Sequence, residues 1–239
     1  MNIVAFGCSC TYGEALGNER KHDPSPLAWP QKLADIYKCT VTNMGECGNS
    51  NKSILHNILQ YDFKPDDIVF VCWTFFDRFS IIKETHTENI GIWQVRRDEL
   101  RGGTVQWLMS LGTLEHKEYE QSDKIAKAFF ENIHDTHDMI LDFYRNCMLA
   151  NHYLQDKNIL NFHTNTNRGM TPIETYYDSN TWFDHKRYLM PDSNFEKQSK
   201  KYPRAEDGQH PGPKAHEAWA HQLHNYSKLK VQIHKECNK

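Results

Sequence analysis

The sequence has little of what would mark a membrane-borne, secreted or nucleic-acid-binding chain. No apolar run approaches the roughly twenty residues that a bilayer-spanning helix needs. The N-terminal apolar stretch is short and has no cluster of positive charge before it, which excludes a signal peptide as its reading. Basic residues are not in excess: 28 Lys and Arg stand against 31 Asp and Glu, a net charge of −3. That balance lacks the electrostatic footprint of a nucleic-acid binder. The seven cysteines are odd in number and irregular in spacing, which argues against a disulfide framework and suits a reducing compartment. No His-Glu-x-x-His pattern occurs among the fourteen histidines. Internal repeats and low-complexity segments are also missing. These absences lead to the expectation of a cytoplasmic chain with neither nucleic acid nor membrane as partner.

What is present is the raw material of an α/β fold. The chain has 239 residues, enough for one large domain. Apolar content is a modest 38%, but 12% aromatic residues supply bulky core side chains. Asn2 to Phe6 is a short run of strand formers, Gly7 ends it, and Ser9 follows just past its end. Ser25-Pro26 reads as a helix start, with Ser25 as N-cap, and apolar residues continue at helical spacing to Tyr37. Cys39–Asn43 is a second strand, followed by a glycine-bearing loop and a helix from about Ser50 to Tyr61. Ile68–Trp73 is a continuous apolar run, expected to be a parallel strand covered on both faces.

Residues 79–120 fit this alternation poorly. They read as an insertion containing a short hairpin, able to cap a site or to form a contact between copies in a homo-oligomer. A long helical pattern runs from Ser122 to about Gln155, and Asn158–His163 is a fourth strand. An aromatic-rich loop, with Tyr176, Tyr177, Trp182 and Phe183, leads to Asp207 and His210. Lys214 to about His234 is the closing helix, with Ala215, Ala218, Trp219, Leu223 and Tyr226 expected inward.

Two weaker readings concern metals and thiols. Cys8-x-Cys10 with Cys47 offers a soft metal site, although small residues packed around a turn is the plainer reading. His134, His137 and Asp138 share a helix face, for which solvation is the better account. Cys8 and Cys10 also rival Ser9 as nucleophile.

Residues Gly7-Cys8-Ser9-Cys10-Thr11-Tyr12-Gly13 near the start and Asp207-Gly208-Gln209-His210 near the end together resemble the blocks of the SGNH, or GDSL-like, hydrolase family. The departures are Cys8, where the family usually has Asp, and Cys10, where Leu or Phe is usual. The resemblance covers residues 1–78 and 205–225 by motif. It implies a flavodoxin-like three-layer α/β/α sandwich with a mostly parallel sheet and an insertion after the third strand, all within a single domain over residues 1–239. It also implies a serine esterase with Ser9 as nucleophile, His210 as base and Asp207 as its orienting carboxylate. The Ser9 and Gly48 N–H groups would hold the oxyanion. The family's third donor, an Asn after strand three, is missing here. Thr74 stands nearest by register, and Asn51 and Arg78 complete the expected oxyanion or substrate-binding set, with Arg78 able to meet an anionic substrate group. The implied partner is a small-molecule or carbohydrate ester, with an acetylated sugar favoured by the aromatic loop, and no metal or organic cofactor is called for. An acyltransferase on the same scaffold, or a binding protein that has lost the chemistry, are the alternatives.

Overall fold

The first strand sets the frame. In the computed structural model, which describes residues 1–17, 23–76, 78–83, 91–97, 105–109, 136–166, 188–190 and 194–237, β1 (Asn2–Gly7) is buried along almost all of its length. It lies between two parallel neighbours, β2 (Thr40–Gly45) and β3 (Asp67–Trp73). A strand covered on both faces has no polar alternation, and that is why β1 and β3 read as unbroken apolar runs. The described sheet has the order β2-β1-β3-β7, with β7 at Leu160–Asn165, and all of its pairings are parallel. This is the doubly wound order of flavodoxin-like sheets.

The side chains of β1 and β3 alternate between two cores. Ile3, Ala5, Ile68, Phe70 and Cys72 face one layer, packed with Trp29, Leu33, Trp219 and Leu223. The layer is formed by α2 (Trp29–Tyr37) and α6 (Pro213–Cys237), together with the short α5 (Phe195–Ser199). Val4, Phe6, Val69, Val71 and Trp73 face the other layer, packed with Ile54, Ile58, Phe143, Tyr144 and Leu154. That layer is formed by α3 (Asn51–Gln60) and α4 (Thr136–Asp156). Each large apolar side chain so buried contributes about 1.5–3 kcal/mol. The fold is therefore an α/β/α sandwich.

Several local expectations change. Ser25 does not cap α2. Its Oγ accepts from the Leu27 N–H and its carbonyl from the Ala28 N–H, forming a turn, and the helix begins at Trp29. The orphan Trp29 N–H is capped instead by His216 Nδ1 at 3.0 Å, from α6. Tyr226 is not inward but 39% exposed, and the buried face of α6 continues through Ser227, whose hydroxyl meets Tyr37. The stretch after β3 is more than a hairpin: β4 (Arg78–Lys83), β5 (Gly91–Arg97) and β6 (Val105–Met109) form a three-stranded antiparallel sheet of their own. Ser80 of β4 hydrogen-bonds Ser50, tying that sheet to the start of α3. The first half of the expected long helix, its His134 and the loop aromatics Tyr176, Tyr177, Trp182 and Phe183 lie outside the described residues.

Candidate active site

The carboxyl ends of β1, β2 and β3 open together, which is where parallel α/β sheets build sites. β1 ends at Gly7 and the chain turns at once into α1 (Ser9–Tyr12), a single helical turn. The turn admits no side chain at either glycine beside it. A Cβ on Gly7 would stand 2.0 Å from Thr11 Oγ1, and one on Gly45 would stand 2.5 Å from the Tyr12 nitrogen. Asn43 Nδ2 donates to the Thr11 carbonyl at 2.8 Å, fixing the turn against β2.

Ser9 is thereby presented to the loop that precedes α6. His210 Nε2 is 3.0 Å from Ser9 Oγ, across 201 residues of sequence, and His210 Nδ1 is 2.5 Å from Asp207 Oδ2. With the proton on Nδ1 donated to Asp207, Nε2 is left to accept from the Ser9 hydroxyl. Partial burial pushes the Asp207 carboxyl up. The hydrogen bonds from the His210 ring and from the His210 and Gln209 N–H groups outweigh that and hold it below its ordinary value. The loop is braced from beneath. Arg204 pairs with Glu196 at 3.0 Å and donates to the Gln209 carbonyl at 3.2 Å, and the Ala205 N–H donates to the His210 carbonyl.

The two thiols beside Ser9 point elsewhere. Cys8 and Cys10 belong to the core between the sheet and α2/α6, at 0% and 6% exposure. A hydrogen bond from Cys10 draws the Cys8 thiol well down against the opposing effect of burial, with help from the Arg78 charge. Ser9 is nevertheless the member of this turn that meets His210. Among the described residues, Cys8, Cys10, Cys39, Cys47, Cys72 and Cys147 form no disulfide. Among the described residues, no group of three or more His, Cys, Asp or Glu side chains could hold a metal ion.

The loop after β2 supplies Gly48, buried, with a left-handed φ of 77°. Its N–H has no hydrogen-bond partner among the described residues, so it is available as a donor. Asn49 Nδ2 donates to the Gly7 carbonyl at 3.1 Å, linking this loop to the nucleophile turn. Asn51 is engaged within the protein. Its Oδ1 accepts from the Thr74 N–H at 2.8 Å, and its Nδ2 donates to the Thr74 and Phe75 carbonyls at 3.3 Å each. Thr74 itself is fully buried and its hydroxyl has no partner. Arg78 is 7% exposed. Its Nη1 donates to the Asn49 carbonyl at 3.2 Å, its guanidinium lies 5.0 Å from the Phe75 ring centre, and its Nε has no partner. One neighbour went unread in the sequence: Glu14 Oε2 lies 3.3 Å from His210 Nε2.

No family model and no curated protein matches the chain. Among solved structures, the chain is similar to a member of the lipolytic protein G-D-S-L family from Veillonella parvula, at 14% identity, with 93% of this chain and 95% of that one covered and a TM-score of 0.44. It is also similar to the lipase Lip_vut3 from a goat rumen metagenome, at 15% identity over 95% and 97% of the two chains, with a TM-score of 0.47. A third is the acetyl xylan esterase Est2A from Butyrivibrio proteoclasticus, at 12% identity over 97% and 64%, with a TM-score of 0.44. Likeness at this level has no bearing on chemistry, which rests on the geometry above.

Proposed function

We propose that the chain is a serine esterase in which Ser9, His210 and Asp207 act as nucleophile, base and orienting carboxylate. The observation that carries this reading is the continuous chain of contacts from Asp207 through His210 to Ser9, 2.5 Å and then 3.0 Å. His210 takes the Ser9 proton as Oγ attacks the ester carbonyl, and Asp207 stabilises the imidazolium that forms. The Ser9 and Gly48 N–H groups receive the developing oxyanion, with the unpartnered Thr74 hydroxyl as third donor in place of the missing amide. The leaving alcohol takes the proton from His210, and water then releases the acyl group by the same steps in reverse. Asn51 holds the β3 end in register with α3 rather than meeting substrate, and Arg78 sets a positive charge beneath the Gly48–Asn49 loop.

The proposed substrate is an ester of a small alcohol or a carbohydrate, with an acetylated sugar first among those to try. The whole of residues 1–239 is proposed as one domain, with the β4–β6 sheet as its insertion, and a cytoplasmic location is proposed with it. Among the described residues, no helix is long and apolar enough to cross a membrane. The test is release of acetate from acetylated sugars and from a short-chain aryl ester by the wild type and by His210→Ala. Turnover by the wild type with loss of at least about 10³-fold in the variant supports the reading. Equal release by both proteins would remove it.

A further inference from the structure

Asp207 is not the sole carboxylate against the His210 ring. Asp207 holds Nδ1, while Glu14 Oε2 stands 3.3 Å from Nε2, the same nitrogen that meets Ser9 Oγ at 3.0 Å. The backbone sets this placement. Gly13 takes the left-handed conformation at φ 86°, its N–H and that of Glu14 both donate to the Ser9 carbonyl at 2.8 and 3.1 Å, and the Glu206 N–H donates to the Ala15 carbonyl. The turn that carries Glu14 is thus joined to the nucleophile on one side and to the base loop on the other. The Glu14 side chain is 36% exposed, partly withdrawn from water.

The contact distinguishes between the two charge states of the ring. A neutral imidazole with its proton on Nδ1 offers only a lone pair at Nε2, and a carboxylate gains no hydrogen bond there. Once Nε2 is protonated, its N–H faces both the Ser9 oxygen and the Glu14 carboxylate, and the opposite charges attract. Glu14 therefore favours the imidazolium. The other titratable groups around the ring are few. Asp207 lies on the ring's own loop, and the Glu206 carboxylate turns toward Gly17. His216, on α6, stays uncharged through the neutral range because burial holds it at about 3.

We propose that Glu14 is a second catalytic carboxylate, accepting the Nε2–H of His210 at the moment Ser9 attacks; this rests on the serine esterase reading above. In that step the Ser9 O–H bond breaks, its proton passes to Nε2, Oγ bonds to the carbonyl carbon, and the carbonyl π pair moves onto oxygen. Glu14 accepts this hydrogen bond and takes no proton in the step. On collapse the bond to the leaving alcohol breaks, that oxygen takes the proton from Nε2, and His210 returns to its neutral form. The same contact acts again when water attacks the acyl-enzyme.

The test measures kcat and KM for a short-chain aryl ester in wild type, Glu14→Gln and Glu14→Asp, alongside fluorophosphonate labelling. In Glu14→Gln kcat falls by roughly three- to tenfold while KM stays unchanged, as expected for a contact made only in the transition state. Glu14→Asp, which keeps the charge, retains most of the wild-type kcat. An unchanged kcat in Glu14→Gln, or an equal fall in Glu14→Asp, overturns the proposal. If Ser9 is still labelled in that case, the esterase reading survives without it. No label on Ser9 of the folded wild type overturns both.

Discussion

The two sides of the crevice are built differently. On the base side the polar groups are satisfied within the protein: the Asp207 carboxylate takes the His210 ring and two backbone N–H groups, and Arg204 and Glu196 brace the loop from below. On the side formed by the end of β3, the Thr74 hydroxyl and the Arg78 Nε are buried without partners, although Asn51 clamps the backbone between them and α3. Burying an unsatisfied polar group costs about 1–3 kcal/mol. The base side is thus satisfied within the protein, whereas the end of β3 keeps buried polar groups that lack partners.

The largest effect expected is on the base side. Asp207→Asn keeps the shape of the loop but removes the charge that orients His210, and kcat should fall by about 10⁴-fold with the fold intact by circular dichroism. A fall of less than tenfold would mean that the Asp207 contact is structural only.

Acid should act on both sides. Burial alone lowers His163 to about 3, and burial is the first cause that lowers His216 to about 3. His163 accepts from Trp73 behind β3, and His216 caps α2 beside the base loop. Both are neutral when folded but take a proton when unfolded below the ordinary 6.5. Stability is therefore unaffected above about pH 6.5 and declines from there down to about pH 3, by on the order of 4 kcal/mol for each histidine. Urea titrations at pH 7 and pH 4.5 measure this. His163→Gln should flatten the decline, and an unchanged slope would contradict the assignment.

Thr74→Val separates chemistry from stability. Removing a hydroxyl that has no partner should leave the melting temperature unchanged or slightly raised, while kcat drops by roughly 10²–10³-fold if that hydroxyl meets the oxyanion. An unchanged kcat would mean that the β3 side contributes no donor. The smallest effect is expected from Asn51→Leu, which leaves the buried Thr74 N–H unsatisfied. It should lose about 2 kcal/mol of stability in denaturant, and an unchanged stability would contradict this account of Asn51.

How far the sequence can be read follows from where each feature's cause lies. β1, β3 and the serine turn were legible because their causes are local: apolar runs, then a glycine that Thr11 crowds. Ser9 and His210 could be paired only through the resemblance of two distant blocks, since nothing local joins residues 201 apart. The start of α2 was misread because its cap, His216, comes from another helix. Tyr226 was misread because the buried stripe of α6 steps from Leu223 to Ser227 to Val231, placing a serine where hydrophobicity alone would choose the tyrosine. Glu14 was not legible at all. Its contact with His210 depends on the left-handed turn at Gly13 and on the base loop folding back onto residue 15.

The measurement closest to the central claim is fluorophosphonate labelling, located by mass spectrometry, together with hydrolysis of a short-chain aryl ester by wild type and Ser9→Ala. The account predicts the label on Ser9 and turnover abolished in Ser9→Ala. A label on Cys8 or Cys10, or turnover that persists in folded Ser9→Ala, would contradict it.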